Sequence, residues 1–564
     1  MTDATRDLLE QHFDTAFAAL DGIAKLRELI LTLAMQGKLV EQAPADQPAS
    51  ELLKDIDAEK QRLVRAGKIK APKPLPPIKP EEVPYQLPQG WEWVRLGGIA
   101  SYIQRGKGPT YTDFSTHRVI SQKCVRWHGL DLEPARYIAP ESLQKYEAIR
   151  FLRGGDLLWN STGTGTIGRA CLAPENVEDH EIVVDSHVTV VRPVLISPLF
   201  LWRWIQSPIV QDEIEGSASG TTNQIELNTS TAINHLMPLP PLPEQYRIVA
   251  RIDQLMARCD SWEALRKERE GKRLAVHAAA IQQLLSAPSG SAWDFIQQHF
   301  GELYTVKENV AELRKAILQL AVMGRLVPQD PEDPPTSDLL KEIDAEKQRL
   351  VKAGKIKAPK PMPPIKPEEV LYELPQGWKW MRLGELGITQ TGTTPPSKDR
   401  GNYGDHIPFI GPGDIKGSSI NYCGYGLSEQ GLASGRLIDA NSILMVCIGG
   451  SIGKHAIAGR DIACNQQINT LTPYKQISEK YIFYVMGGPI FQNAVLSQAG
   501  GSATPIINKQ KWSAIPIPIP PAHEQCRIVA RIDQLMALCD TLDQKINDAT
   551  DKQTELLRAV MAQI

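Results

Sequence analysis

Apolar residues recur with helical spacing in several parts of the chain. One apolar stripe consists of Ile248, Ile252, Leu255, Met256 and Cys259. Its i, i+4, i+7, i+8 and i+11 spacing is typical of an amphipathic helix, and residues 26–33 and 313–320 repeat the pattern. The stripe predicts a helix over residues 244–287, roughly 65 Å long at about 1.5 Å per residue. A turn at 286–291 precedes a second long helix, so we expect an antiparallel pair.

The chain contains a long internal repeat. Residues 55–97 recur almost letter for letter as residues 342–384, and the sequence RIVARIDQLMA occupies both 247–257 and 527–537. A repeat of this length indicates two copies of one structural unit. A pseudo-twofold arrangement suits a target that is itself nearly twofold, and duplex DNA is the commonest such target.

The order of the repeated segments is circularly permuted. In the middle of the chain, RIVARIDQLMA leads through an apolar helix into Gln298-His299-Phe300, whereas its second copy runs to the C-terminus. The sequence that would continue the second copy begins at the N-terminus, with the same Gln-His-Phe at 11–13. Joining Ile564 to Met1 would therefore complete the second unit. We expect the terminal helices to pack against the long helices.

Two globular blocks lie between these helical segments. A proline-rich linker with extended polyproline II character precedes each block, which opens with LPQGW and closes with a proline-rich strand. Short apolar runs between Gly, Ser and Thr turns indicate mixed α/β domains. The expected fold class is α/β, with two mixed α/β domains separated by long antiparallel, coiled-coil-like helices. The expected divisions are 1–86 (N-terminal helices and linker), 87–243 (first domain), 244–373 (central helical spacer and linker), 374–523 (second domain) and 524–564 (C-terminal helix).

The two globular blocks differ far more than their flanking segments do. Only fragments align, such as Thr166-Ile167-Gly168 with Ser451-Ile452-Gly453, and residues 220–228 with 500–508. A nearly identical scaffold that carries two dissimilar domains indicates one mode of assembly and two different recognition surfaces.

The composition is that of a globular protein, with 42% hydrophobic and 23% charged residues. No apolar run approaches the roughly 20 residues that span a bilayer, the N-terminus lacks a signal-peptide pattern, and the eight cysteines lack zinc spacing. We expect a cytoplasmic protein with no membrane association and no structural metal. The formal net charge is −3, but residues 60–79 are basic and contain no acid. A solvated helix face with a linker explains that stretch equally well.

The chain resembles the specificity subunits of type I restriction-modification enzymes. The resemblance covers essentially the whole chain and rests on LPQGW at 87–91 and 374–378, the exits ending in Glu-Gln at 244–245 and 524–525, the paired long helices and the permuted symmetry. It implies two target-recognition domains held apart by an antiparallel helical spacer, each reading half of a split double-stranded DNA sequence. It also implies two bound copies of an adenine methyltransferase subunit, to which restriction and motor subunits are added.

Catalytic motifs are absent from the sequence. We find neither an [ND]PP[YF] loop nor the glycine-rich loop of a methyl-donor site, and residues 449–455 depart from a phosphate-binding loop in spacing and end in His455. Asp414 and Lys416 lack the upstream acid of a nuclease site. We therefore expect a non-catalytic subunit with no cofactor.

Polar and basic residues on loops are the candidates for DNA contact, because such side chains reach base edges and phosphates. Glycine-rich loops follow apolar strands at 104–110 and 391–398, and further polar segments lie at 217–223 and 500–504. Ordinary hairpin turns are the competing interpretation. The expected DNA-binding residues are Arg105, Lys107, Thr110, Asn160, Ser161, Thr162, Thr221, Thr222, Asn223, Thr391, Thr393, Thr394, Ser397, Lys398, Gln466, Ser502 and Thr504.

Two other functions fit parts of the pattern. A helical scaffold that presents two protein-binding domains, with no role in DNA binding, would use the proline-rich repeats as peptide ligands. A fused enzyme with its own methylation or cleavage activity is disfavoured by the missing motifs. Salt-dependent retention on a DNA or heparin column separates the first alternative from a DNA-binding subunit.

Overall fold

The computed structural model describes residues 13–19, 21–144, 146–163, 165–218, 227–286, 290–501 and 504–562. The chain divides into two compact units. The first comprises Met1–Glu268 together with Thr550–Ile564, and the second comprises Arg269–Ala549. The C-terminal residues thus meet the N-terminal segment inside the first compact unit, where Leu557 and Val560 pack with Phe17 and Leu29. The predicted circular permutation is confirmed. The sequence repeat had assigned the N-terminal segment to its second copy, whereas the structure groups it with the first globular block.

The helices of the first unit lie before, between and after its strands in the sequence. They are Gly22–Met35, Ala49–Arg65, Leu96–Ile99, Pro140–Leu143, Pro198–Ile205, Pro208–Ala218, Thr229–Asn234 and the first part of Leu242–Ser286. Side-chain caps begin two of them: Ser197 accepts from the backbone N–H of Phe200, and Asn228 from that of Thr231. The second unit repeats both caps with Ser478 and Asn508.

Within the described residues, the strands of the first unit form two four-stranded sheets and two two-stranded ones. They are β1 (Glu92–Arg95), β2 (Ala100–Arg105), β3 (Tyr111–Thr112), β4 (Arg118–Ile120), β5 (Val125–Arg126), β6 (Gly129–Leu130), β7 (Arg136–Ile138), β8 (Leu157–Asn160), β9 (Ala170–Leu172), β10 (Val183–Val184), β11 (Val188–Pro193) and β12 (Leu236–Leu239). The sheet β2-β11-β8-β9 is antiparallel, while β10-β4-β7-β3 contains one parallel pair, β10 with β4. β1 pairs with β12, and β5 with β6.

The second unit repeats the main sheet with dissimilar sequence. Its strands are β13 (Lys379–Arg382), β14 (Gly387–Thr391), β15 (Tyr403–Ile410), β16 (Ile415–Lys416), β17 (Ser419–Ile420), β18 (Gly426–Leu427), β19 (Ile443–Val446), β20 (His455–Ile457), β21 (Ala463–Cys464), β22 (Ile468–Pro473) and β23 (Pro516–Ile519). The antiparallel sheet β14-β22-β19-β20 corresponds to β2-β11-β8-β9, and β13 pairs with β23 as β1 does with β12. A three-stranded sheet, β18-β15-β21, again contains one parallel pair.

The helices of the second unit include the end of Leu242–Ser286, which confirms the predicted long helix. The others are Gly290–Gln298, Phe300–Leu303, Lys307–Val322, Thr336–Lys352, Glu429–Ser434, Glu479–Gly487, Pro489–Gln498, Lys509–Ser513 and Ala522–Ala562, the last of which ends in the first unit. The expectation of a second long helix after the turn at 286–291 is wrong. Residues 290–322 instead form three shorter helices of 9, 4 and 16 residues.

The break in that segment has a local cause. Tyr304 leaves helical geometry and buries its ring 5.2 Å from the ring of His277. The buried side chain of Asn309 donates a 2.5 Å hydrogen bond to the Leu303 carbonyl, which satisfies a group that the interrupted helix leaves open. Burial of an aromatic residue therefore outweighs continuation of the helix.

Candidate nucleic-acid interface

In the first unit, a glycine allows the candidate loop to pass against a neighbouring turn. β2 ends at Arg105, and the next residue, Gly106, donates its N–H to the Val188 carbonyl at 3.0 Å. A Cβ atom at Gly106 would collide with the carbonyl oxygens of Val184 and Asp185. The close backbone approach therefore requires glycine at this position.

The turn at 185–188 connects two of the predicted contact residues. Arg105 Nε donates to the Ser186 carbonyl, and Thr162 Oγ1 lies 2.6 Å from His187 Nδ1. Asp185 supports the turn by accepting the His187 N–H at 2.8 Å. Burial raises the pKa of Asp185, whereas this hydrogen bond favours the charged carboxylate. The outer surface of the turn presents the exposed His187 side chain.

The predicted contact residues of the first unit fall into three groups. Lys107 and Thr110 are exposed on the loop, and Arg105 and Thr162 are partly exposed. Asn160 and Ser161 are buried at 0% and 1% exposure. Thr221, Thr222 and Asn223 lie outside the described residues.

Asn160 and Ser161 hold the loop that follows β8. Asn160 Nδ2 donates to the carbonyls of Gln122 and Thr166, both at 3.1 Å, and Ser161 Oγ lies 2.5 Å from Thr189 Oγ1. Because Asn160 Nδ2 and Ser161 Oγ bond inside the fold, these two residues position neighbouring surface residues.

The second unit builds its loop in the same way. Gly392 follows β14 and donates its N–H to the Ile468 carbonyl at 3.0 Å. A Cβ atom there would collide with the carbonyl oxygens of Cys464 and Asn465. Gly392 is thus the counterpart of Gly106. In each unit we call this glycine, together with the turn that it contacts, the frame of the candidate loop.

The other predicted residues of the second unit lie around this frame. Thr391 Oγ1 donates to Asn469 Oδ1 at 2.8 Å, and Thr394 Oγ1 donates to Gln466 Oε1. Thr393 is partly exposed, whereas Thr394, Ser397, Lys398, Gln466 and Thr504 are exposed. Ser502 lies outside the described residues.

Backbone pairing brings a further loop of the second unit to the same place. Gly449 donates its N–H to the Pro505 carbonyl at 2.9 Å, and Ile507 donates to the Cys447 carbonyl at 3.0 Å. Cys447 in turn donates to the Gln467 carbonyl at 2.8 Å. The loops at 447–453, 465–468 and 504–507 therefore adjoin.

Two basic residues at matching positions escaped the sequence prediction. The N–H of Asn160 bonds the Arg169 carbonyl at 2.8 Å, and in the second unit the N–H of Val446 bonds the Lys454 carbonyl at 2.8 Å. Each cation follows a short fragment that aligns between the domains, ending in Gly168 or Gly453. The alignment of these two fragments was the sequence signal that could have identified Arg169 and Lys454.

An aromatic and basic cluster beside the first loop was also missed. The guanidinium carbon of Arg136 lies 3.6 Å from the centre of the Tyr111 ring, and Tyr111 follows Thr110 directly. Phe114, three residues further on, is 81% exposed. Residue types that suit nucleic acid thus continue past the end of the loop.

Equivalent positions on the two frames carry different chemistry. Arg105 of the first unit corresponds to Thr391, because each precedes the glycine that contacts the turn. Ser186 and His187 correspond to Gln466 and Gln467, because each pair occupies the same place in that turn.

The described residues contain no group of three or more His, Cys, Asp or Glu side chains that could hold a metal ion. Nor does any helix in the described ranges have the length and apolar character needed to cross a membrane. The eight cysteines are free thiols, and six of them are buried. Burial raises the pKa of Cys171, Cys447 and Cys464 to about 12, which disfavours the reactive thiolate.

Two units with a common frame and different loop side chains define a protein with paired recognition domains. The chain matches the family described as type I restriction modification DNA specificity domain over residues 88–270 and 375–550. It is 33% identical to the type I restriction enzyme EcoAI specificity subunit of Escherichia coli, over 95% of this chain and 92% of that protein. Its identity to the EcoEI specificity subunit of Escherichia coli is 31%, over 96% and 93%.

The chain therefore belongs to the family of type I restriction-modification specificity subunits. Members of this family are the non-catalytic DNA-recognition components of their systems. A solved HsdS subunit from Thermoanaerobacter tengcongensis shares 20% sequence identity, with a TM-score of 0.43 over 85% of this chain and 98% of that chain.

Proposed function

We propose that each unit of this chain reads one half of a bipartite, asymmetric DNA target. The observation that carries the proposal is the repeated frame at Gly106 and Gly392, which presents different side chains in the two units. A common frame supports a similar approach to DNA. Different side chains at equivalent positions imply different half-site sequences.

The proposed contacts are the outward-facing members of the predicted set. In the first unit they are Arg105, Lys107, Thr110 and Thr162, and in the second they are Thr391, Thr393, Thr394, Ser397, Lys398, Gln466 and Thr504. Thr221, Thr222, Asn223 and Ser502 belong to the proposal on sequence grounds. Asn160 and Ser161 act by positioning these loops.

The repeated helical segments are the proposed docking surfaces for two methyltransferase subunits, with restriction subunits joining the assembly. The support is repetition, because equivalent contacts recur in both units. Arg27 pairs with Asp260 and Glu263, and Arg314 pairs with Asp540 and Asp543. We expect two methyltransferase subunits per chain in a native mass measurement; a saturated one-to-one complex would contradict this. The cytoplasm, where the DNA target lies, is the proposed location.

A domain exchange tests independent half-site recognition. Residues 87–243 are replaced by the corresponding domain of another family member, and the methylated sequence is mapped with the cognate methyltransferase. We expect one half-site to change and the other to persist. The reciprocal exchange of residues 374–523 should change the other half-site. A change in both half-sites after either exchange, or a continuous palindromic target, would refute the proposal.

A second experiment tests whether the helices set the gap between half-sites. We expect the half-sites to lie about one helical turn of DNA apart, roughly 10 base pairs centre to centre. Whole helical turns inserted within residues 244–284 should alter the gap and leave both half-sites unchanged. An unaltered gap would show that the helices do not set the spacing.

A further inference from the structure

Each unit displays the same exposed basic segment. Residues 66–74 and 353–361 share the sequence AGKIKAPKP, and nearly all their side chains are exposed. The paired lysines at equivalent positions are Lys68 and Lys355, Lys70 and Lys357, and Lys73 and Lys360. Packing does not constrain exposed side chains, so it does not explain why these two segments are identical while the neighbouring recognition domains differ.

These six lysines form no ion pair among the described residues, although nearby cations do. Arg62 bonds Glu59 at 2.7 Å, and Lys79 lies 3.9 Å from Glu81. Their counterparts in the second unit, Arg349 and Lys366, pair with Glu346 and Glu368 at 2.8 and 3.9 Å. The same three lysines thus lack an ion-pair partner in both units, among the residues that the structure describes.

The fold of each unit holds both ends of its segment. In the first unit, Gly67 at φ +67° ends the preceding helix, and Lys68 donates its N–H to the Leu63 carbonyl at 2.9 Å. Beyond the lysines, Arg95 donates to the Pro76 and Pro77 carbonyls at 2.9 and 3.1 Å.

The second unit repeats both restraints. Gly354 has the same φ of +67°, and Arg382 donates to the Pro363 and Pro364 carbonyls at 3.1 and 2.8 Å. Both segments are therefore restrained at both ends, which lowers the conformational entropy lost on binding a partner.

The chemistry of the segment favours a phosphate backbone over a protein surface. Lysine is depleted at protein–protein interfaces, whereas lysine and arginine neutralise phosphates. No large hydrophobic side chain is exposed between residues 66 and 79, and Leu75 lies against Gly97. An ammonium group is a point charge that carries no base code, which suits a segment shared by two domains with different targets.

We propose that the lysine trios Lys68–Lys70–Lys73 and Lys355–Lys357–Lys360 are sequence-independent contacts to the DNA phosphate backbone. The inference rests on the proposed function and adds contacts outside the recognition loops. In the first unit, Leu75, the residue after the segment, lies against Gly97 in the short helix before β2, and the candidate loop follows the end of β2. The strand spans roughly 20 Å at about 3.3 Å per residue. That length corresponds to about six base pairs of duplex.

The test uses the chain in complex with its methyltransferase subunits. Three variants replace the first trio, the second trio or both trios with glutamine. A control variant replaces the exposed lysines Lys379, Lys416 and Lys475 with glutamine, which removes the same number of charges as one trio at positions outside the repeated helices and the candidate loops. Affinity is measured between 50 and 200 mM salt, a range over which phosphate contacts dominate the salt dependence. The probes are a duplex carrying the methylated target and a scrambled duplex.

We expect the slope of log K against log salt to become shallower by about 0.9 for each phosphate that the variant no longer neutralises. One trio then changes the slope by up to about 2.7, and both trios by up to about twice as much. Affinities for the target and scrambled duplexes should fall by the same factor. The control should keep the wild-type slope, and the melting temperature should be unchanged in all variants.

Three results would overturn the inference. If the wild-type complex prefers its target and the trio variants keep the wild-type salt slope, the trios do not belong to the DNA interface. Loss of methyltransferase from the complex at an unchanged slope would assign the segment to protein docking. Loss of target preference alone would assign it to base recognition. If the wild-type complex shows no preference for the methylated target, the proposed function itself fails, which is a distinct result.

Discussion

The indole Nε1 of Trp91 donates a hydrogen bond to Glu244 Oε2 at 3.1 Å, although 153 residues separate the two in sequence. Trp91 closes the LPQGW motif, and Glu244 lies in the first turn of the long helix that leaves the domain. Trp378 and Glu524 repeat the contact at 2.9 Å in the second unit. The bond therefore joins the entrance of each recognition domain to its exit.

Removing either indole donor should destabilise the unit that contains it. In Trp91→Phe and Trp378→Phe, a buried glutamate loses an indole donor, which costs roughly 1–3 kcal/mol in the free energy of unfolding. Burial raises the pKa of Glu244 above 4.5, and the Trp91 hydrogen bond opposes that rise. The cost should therefore be largest when the carboxylate is ionised, and should shrink as pH falls through the raised pKa that the glutamate has in the folded protein.

Denaturant unfolding at several pH values measures this effect. Trp127→Phe is the control, because Trp127 is 40% exposed and the same ring change there leaves no buried carboxylate. Equal losses in all three variants, or a loss independent of pH, would show that ring size and not the hydrogen bond matters.

Alanine should be tolerated at some loop glycines and rejected at others. In Gly106→Ala and Gly392→Ala the new Cβ meets backbone carbonyl oxygens, which cannot move aside as a flexible side chain would. We expect losses of roughly 1–3 kcal/mol in unfolding free energy and weaker DNA binding by the affected unit. Gly108→Ala and Gly413→Ala are matched controls, since no atom lies within 4 Å of a Cβ there. A defect in the controls of similar size would contradict this explanation.

Two loop cations are expected to contribute to DNA affinity. Arg105→Ala and Lys398→Ala should each weaken binding by about 1–3 kcal/mol at near-physiological salt. Lys398 is exposed, so its loss should leave stability unchanged. Arg105 also donates to the Ser186 carbonyl, so its loss should cost up to about 1 kcal/mol in stability. Arg153→Ala and Lys475→Ala are the controls, because both side chains are exposed and lie outside the candidate loops. Unchanged DNA affinity in the two test variants would show that these loops are not part of the interface.

The purified chain should neither methylate nor cleave DNA. Its sequence lacks methyl-donor, base-holding and nuclease motifs, and its family supplies recognition. Transfer of labelled methyl groups is measured with the chain alone and with methyltransferase subunits added. Methyl transfer by the chain alone would contradict the prediction, provided that it increases with the concentration of the chain and persists after repeated purification.

Helices and repeats were predictable because their signals are local in sequence. The spacing of Ile248, Ile252 and Leu255 specifies an amphipathic helix without reference to any partner. The repeated linkers show two units by comparison of letters alone, and the permutation follows from their order. The same reasoning failed near Tyr304, where burial against His277 ends a helix that periodicity would continue.

The sequence by itself determined the two units, their permuted order, the long helices and the polar loops that could contact DNA. The tertiary structure alone decided which polar side chains face outward, because strand pairing acts over long separations. Pairing of β11 with β2 and β8 brings the turn of His187 beside Arg105 and Thr162, and buries Asn160 in the same region. A buried asparagine and an exposed one read alike in a sequence, because exposure is set by neighbours that are distant along the chain.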